Sequence, residues 1–380
     1  MQWSHEHLEL KRTTQRIVED HINPYVDEWE EAGRFPAHKV MKILGDAGLL
    51  GISRPEEFGG LALDYSYEIA CVEELGHIQA YGISSAIGIQ ATMCTPALAK
   101  HGSDELRREW LVPTIAGDVV GSLGVSEVGS GSDVANVKTY ARRDGDDYVI
   151  NGSKMWTTNG MQADWMCMLV NTSPDNGPHR NKSLLVVPLD VPGVTRHELK
   201  KLGLHSSDTA QTFFDDVRIP ARYLIGDENK GFGYQMAQFQ EERLYVVGRS
   251  IGLLEDAIAD TIEYTREREA FGKSILNNQF VHFRLAEMQT EVEALRALFH
   301  AAVQAYIDGE DVTKLASMAK YKMGRLAEWI PSECLRFWGG QGFMAENRIS
   351  RTYRDMKLAA IGGGANEIML QVIAKRMGMT

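Results

Sequence analysis

The stretch GFGYQMAQFQEERLYVVGRSIGLLEDAIADTIEYTREREA, residues 231–270, decides the architecture of the last third of the chain. Its apolar residues Met236, Phe239, Val246, Val247, Leu253, Leu254, Ile258 and Ile262 recur at the three-to-four-residue spacing of one helix face. Of the 11 prolines only Pro331 follows Pro220, so little in this third bars long helices. Two more are expected at about 279–306 and 312–335, with Asp308-Gly309-Glu310-Asp311 stopping one and capping the next. Toward the N-terminus the pattern changes. Residues 138–142, 148–150 and 183–187 are short β-like runs, and Asp144-Gly145 and Asn151-Gly152 read as turns between strands. Residues 171–182, with Pro174, Asn176, Gly177 and Pro178, read as a surface loop. The first third is helical again over 6–22, 37–47, 67–75 and 104–115. Helical, then β, then helical predicts a segregated α+β fold, divided as an N-terminal helical domain 1–118, a middle β domain 119–229 and a C-terminal helical bundle 230–380.

Composition fits that division. The 380 residues are 44% hydrophobic and 24% charged, which suits two or three packed domains and excludes a disordered, collagen-like or disulfide-scaffold chain. A net charge of −12 argues against broad nucleic-acid binding, leaving room for a local basic pocket that takes an anionic ligand. Cys71, Cys94, Cys167 and Cys334 lie far apart with no CxxC pair, so they read as reduced thiols, with no structural zinc site. The N-terminal residues are polar, with no apolar signal core, and no apolar run approaches the roughly 18 residues of a membrane span. The expectation is a cytoplasmic protein that binds neither membrane nor nucleic acid, and no metal.

Most familiar catalytic signatures are absent: no GxxxxGK[ST] loop, no HExxH pair, no GxGxxG opening a helix, no GxSxG elbow. Two segments remain. GVSEVGSGSD, residues 124–133, exposes backbone N–H groups among small residues, fit to hold an anion or a ring carbonyl, though on composition alone an ordinary turn between strands is the favoured reading. In NGSKMWTTNG, residues 151–160, Trp156 and Thr158 would share a face of an extended chain; a buried Trp beside a satisfied Thr is the plainer alternative.

Taken together, and with Ser206-Ser207-Asp208-Thr209, residues 266–273 (REREAFGK), Gly339-Gly340-Gln341-Gly342-Phe343 and Gly364-Ala365-Asn366-Glu367-Ile368 following in order, the chain resembles the acyl-CoA dehydrogenase family along nearly its whole length. The resemblance implies FAD bound between the three domains. It implies that Val125 and Ser126 approach the flavin ring, that Trp156 flanks it, and that Thr158 hydrogen-bonds near its reactive nitrogen. Arg268, Phe271, Gln279 and Gly340 are similar to residues that hold the pyrophosphate and adenosine from a neighbouring subunit, and Glu367 falls in the family's last cofactor motif. Arg268 suits phosphate, since a guanidinium fork grips it at two points. Ser132 resembles a contact to the CoA arm, and Arg243 and Gly363 resemble substrate-binding positions. Two residues depart from the pattern on the adenosine side: Arg336 stands where Gln is usual, and Ala365 where a Thr hydroxyl is usual.

The family's reaction needs a carboxylate to remove the acyl α-proton. Many members carry it in a Tyr-Glu-Gly-Thr stretch, but the matching run here is Gly362-Gly363-Gly364-Ala365, leaving Gly363 at that position. Long-chain and isovaleryl-CoA dehydrogenases place the base on a bundle helix just before an Arg-Leu pair. Here that gives Glu242, before Arg243-Leu244, with Phe239 and Val246 on the same helix face to raise its pKa; a surface Glu in the charged run Glu241-Glu242-Arg243 is the less favoured alternative. The reading is therefore an acyl-CoA dehydrogenase of the long-chain, isovaleryl and citronellyl branch. It would form trans-2-enoyl-CoA, pass electrons to an electron-transfer flavoprotein and assemble as a homotetramer, a dimer of dimers. The alternatives are an acyl-CoA oxidase-like or nitroalkane-oxidising relative, or a flavin-binding homologue without dehydrogenase activity.

Overall fold

The computed structural model describes residues 1–174 and 176–379. The first domain is built from helices, chiefly His5–Ile17, Ala37–Asp46, Tyr65–Leu75 and Tyr81–Gly88. Ser4 and His7 cap the first of these reciprocally, and it continues as a π turn over Val18–Ile22. Tyr81–Gly88 escaped the sequence reading for a physical reason: every residue in it is buried, so no polar face marks a helical period.

The middle domain is a mixed sheet of eight strands: β1 Gly121–Gly124, β2 Tyr140–Asp144, β3 Asp147–Thr158, β4 Trp165–Asn171, β5 Lys182–Pro188, β6 Val194–Glu198, β7 Thr209–Pro220 and β8 Leu224–Ile225. Their order is β6-β7-β3-β2-β4-β5-β8, with β1 alongside β4 in parallel. β5 is buried along its length and β4 up to its last residue, which is why both are apolar runs without alternation. The expected turn at Asn151-Gly152 is not one. Both residues lie inside β3, where pairing with β7 shifts register between Ile150 and Gly152. Gly152 has φ +139° and a Cβ there would come 2.6 Å from Thr139 Oγ1, so the glycine marks a bulge pressed against its neighbour.

The third domain packs the helices Gly231–Glu267, Gln279–Ile307 and Thr313–Trp338 against one another, followed by Arg348–Met356 and Asn366–Arg376. Gln279–Ile307 ends at Gly309, φ +79°, and Asp311 accepts from the Thr313 N–H to open the next helix. The long helix crosses the first domain closely enough that a Cβ on Gly252 would sit 2.8 Å from the Gly76 carbonyl carbon. One buried carboxylate ties all three domains. Asp355 accepts from the backbone N–H of Tyr81 at 3.1 Å and of Leu204 at 2.6 Å. Asp208 likewise receives Met161 N–H and Gln162 Nε2, so the Ser206–Thr209 motif is a structural fastening within the sheet domain.

Candidate active site

Glu242 lies on the long helix, between half-buried Phe239 and buried Val246. Its Oε2 is enclosed with no hydrogen-bond partner among the described residues. Burial pushes its carboxyl up to about 7, against the opposing pull of Arg243, Lys320 and Arg249. The neighbouring Glu241 has a different fate: its carboxylate takes the hydroxyl of Tyr306, and its carbonyl takes that of Tyr65.

The structure brings Glu242 and Gly363 to one place. A Cβ built on Gly363 would lie 3.6 Å from Val246 Cγ2, 3.7 Å from Glu242 Oε1 and 3.9 Å from Lys320 Cε. A side chain starting from 363 would thus begin where the Glu242 carboxylate ends. Gly363 has φ +66°, a conformation L side chains rarely adopt, and its N–H makes no backbone hydrogen bond among the described residues. Next to Glu242 in the chain, the Nε of Arg243 is buried without a partner among the described residues.

A second group assembles at the end of β1 and in β3. Met155 N–H donates to Ser126 O at 2.9 Å, fastening the two motifs read from the sequence edge to edge. Under them lies an ion pair that sequence reasoning missed. Lys154, fully buried, donates to Val125 O at 3.0 Å and to Glu127 Oε1 at 2.9 Å. Glu127 also accepts from the N–H groups of Lys138 and Thr139. Desolvation brings Lys154 down to about 8, while the Lys154 charge and the backbone donors hold Glu127 below its ordinary value despite its burial. The only sequence signal was an acid in one motif and a base in the next. Trp156 is 54% exposed and has φ +58°; with β3 shifting register between Lys154 and Thr157, plain extended alternation does not carry it and Thr158 onto one face. A Trp held in the left-handed region is strained, and such residues concentrate at functional sites. Its ring edge lies 4.0 Å from where a Gly131 Cβ would stand, and Ser132 is exposed just beyond.

The remaining site residues are spread over the third domain. Arg268 follows the long helix, Phe271 (φ +54°) tops the hairpin pairing Glu269–Ala270 with Lys273–Ser274, and Gln279 opens the next helix; all three are exposed. Gly340 is exposed after Trp338, whose ring stacks on Tyr264 of the long helix. Glu367 is exposed in the first turn of the last helix, and Ala365 stands at its N-cap without a side-chain cap. Arg336 pairs with Glu333 at 2.7 Å. By contrast, the side chains of Ser126, Ser132, Thr158, Arg243, Arg268 and Gln279 take no hydrogen bond or ion pair among the described residues. Open hydroxyls beside an exposed, strained indole, with a separate free guanidinium, form a donor set that fits a ring carbonyl, a flavin face and a phosphate. The residues present therefore fit FAD. Among the described residues no cluster of three His, Cys, Asp or Glu is placed to hold a metal.

That combination of helical, sheet and helical domains around a buried, uncommitted carboxylate defines a class of flavin-dependent dehydrogenase, and comparison with known proteins names it. The chain matches the acyl-CoA dehydrogenase N-terminal domain over residues 4–118, the middle domain over 122–217 and the C-terminal domain over 229–378. It belongs to the acyl-CoA dehydrogenase family. A long-chain specific acyl-CoA dehydrogenase of Rattus norvegicus is 34% identical over 379 residues, covering 99% of this chain and 87% of the relative. Among solved structures, an acyl-CoA dehydrogenase from Geobacillus kaustophilus superposes with TM-score 0.94 at 36% identity, covering 99% and 98% of the two chains. A glutaryl-CoA dehydrogenase from Mycobacterium smegmatis, solved in complex with FADH2, gives TM-score 0.92 at 29% identity, covering 100% and 96%. No helix among the described residues is long and apolar enough to cross a membrane.

Proposed function

We propose that this acyl-CoA dehydrogenase converts an acyl-CoA thioester to the trans-2-enoyl-CoA with Glu242 as the α-proton base, its electrons leaving to an electron-transfer flavoprotein. The observation that carries the reading is the enclosed, unpartnered Glu242 carboxylate, 3.7 Å from the point where a side chain at Gly363 would begin. Glu242 takes the proton on the carboxylate; the unbonded Gly363 N–H is a donor for the thioester oxygen on which charge develops. Arg243 lends positive charge beside them. FAD, when bound, supplies the acceptor for the β-hydride. Val125, Ser126, Trp156 and Thr158 would orient its ring, held in place from below by the Lys154–Glu127 pair, and Ser132 would meet the CoA arm. Gly362 and Gly363 leave no side chains beside the acyl site, which suits a branched or longer acyl group over butyryl.

Arg268, Phe271, Gln279 and Gly340 would serve FAD bound by a second copy, while Glu367, a charged neighbour of Lys320, would serve the cofactor nearer Glu242. Arg268 follows the end of the helix that carries Glu242, 26 positions further on, about 39 Å at 1.5 Å per residue. One flavin dinucleotide cannot run from a ring beside Glu242 to phosphates beside Arg268 of the same chain. The exposed Phe271, Phe280, Phe283 and Phe343 at this end support burial against another subunit, within a homotetramer. Four buried, unpaired cysteines are in keeping with a cytoplasmic setting. The test is anaerobic addition of an acyl-CoA panel to the FAD-loaded protein. The flavin should bleach, branched or long acyl-CoAs should act faster than butyryl-CoA, and reoxidation by O₂ should be slow. A flavin that no acyl-CoA bleaches would refute the reading, and rapid O₂ reoxidation would replace it with an oxidase.

A further inference from the structure

Lys320 is a fully buried cation that the mechanism above leaves unused. Lys320 lies inside the helix Thr313–Trp338 with no exposure to solvent, and no carboxylate is within ion-pairing distance of it among the described residues. Its ammonium instead donates to two backbone carbonyls, Ala359 O at 2.8 Å and Gly364 O at 2.6 Å. These carbonyls bracket the glycine run Gly362-Gly363-Gly364. The run has no side chains of its own to fix it, and two of its members take positive φ, +66° at Gly363 and +96° at Gly364. The Lys320 stem then passes within 3.9 Å of the same point beside Gly363 that Glu242 Oε1 approaches to 3.7 Å.

From this convergence we infer that Lys320 is a positioning residue for the reaction: it clamps the glycine run so that the Gly363 N–H stays aimed, and places a positive charge behind the Glu242 carboxylate. The inference rests on Glu242 being the base. Other charged groups near Glu242 are Arg243 and Arg249 on its own helix. Glu68 and Tyr306, on helices packed against it, face Glu241, and Tyr81 lies against Arg249. Lys320 is therefore the cation that reaches Glu242 from another element among the described residues; its own remaining charged neighbours are Arg243 and Glu367. Desolvation lowers Lys320 to about 8, and Glu242 pulls it back up. A buried ammonium so placed favours the ionised carboxylate, the form that accepts a proton.

The test uses the FAD-loaded protein carrying Lys320→Met or Lys320→Gln, both neutral, the second retaining donor groups. The midpoint for Glu242 protonation is read without substrate, from the carboxylic C=O infrared band that vanishes in Glu242→Gln, and again from the pH dependence of flavin reduction by acyl-CoA. Both midpoints should rise by about one pH unit in either variant, the amount an opposite charge at this range contributes. Lys320→Gln should keep the larger share of the high-pH rate. Either variant suffices if the other does not fold. Midpoints equal to the parent's, in a variant with the parent's FAD content and melting temperature, would overturn the inference. Because the infrared titration needs no turnover, that result is distinct from a parent flavin that fails to bleach, which would refute the dehydrogenase reading itself.

Discussion

Replacing Glu242 by Gln should cost activity and at the same time relieve the fold, by an amount set by pH. Burial raises this carboxyl from an ordinary 4.5 to about 7, so its ionised form is disfavoured in the folded protein. The sign follows from linkage: a folded pKa above the unfolded one gives stability that is complete below pH 4.5 and is lost as pH rises through 7. At about 1.4 kcal/mol per unit the full shift would be worth roughly 3.4 kcal/mol, and partial exposure of the residue reduces this to about 2 kcal/mol. Gln cannot ionise, so the stability difference between variant and parent should move by about 2 kcal/mol in the variant's favour between pH 4.5 and pH 8. Taking the change, rather than its absolute value, cancels any fixed cost of burying the amide. For a chain of 380 residues that is roughly 2–3 °C in melting temperature. Thermal melts of both proteins at saturating FAD across this range measure it. A difference that stays flat with pH would show that Glu242 titrates like a surface carboxylate and would refute the burial argument.

Other outcomes follow from the same geometry. Flavin reduction in the parent should rise with pH through about 7 and fall about tenfold per unit well below it, since only the ionised carboxylate accepts a proton; stopped-flow absorbance reads the profile. Arg268→Glu should lower FAD affinity and weaken assembly together, seen as colourless smaller species by size exclusion; a fully yellow, intact monomer would contradict this. Gly363→Glu alone should destabilise by about 1–3 kcal/mol, because φ is +66° there and the new carboxylate would crowd Glu242. Combined with Glu242→Gln it should restore a fraction of turnover at most, measured as the rate of flavin bleaching.

Much of this was legible in residues 231–270, where a single apolar period gave the long helix and put Glu242 on a half-buried face. The vacancy at Gly363 was also legible, as was the family in six ordered motifs. What was not legible had few local marks. The helix Tyr81–Gly88, and β4 up to its last residue, are buried on every side, so they lack the polar alternation that announces a strand or helix. Asn151-Gly152 carries hairpin chemistry, yet the glycine is there for contact with Thr139. Lys154 and Lys320 look like ordinary charged residues in sequence. Only the fold shows each desolvated and bonded to the backbone of a site segment, because their partners lie 27 or more positions away.

The most direct test of the central claim is the rate of flavin reduction in Glu242→Gln beside Glu241→Gln, each loaded with FAD and mixed anaerobically with the best acyl-CoA. Glu241 is one position along the helix, about 100° around it, with its carboxylate held by Tyr306. Glu242→Gln should still bind FAD and acyl-CoA but reduce the flavin at least about 10²-fold more slowly, as expected when a positioned base is lost, while Glu241→Gln keeps most of the parent rate. Bleaching of Glu242→Gln as fast as the parent would place the base elsewhere and contradict the assignment.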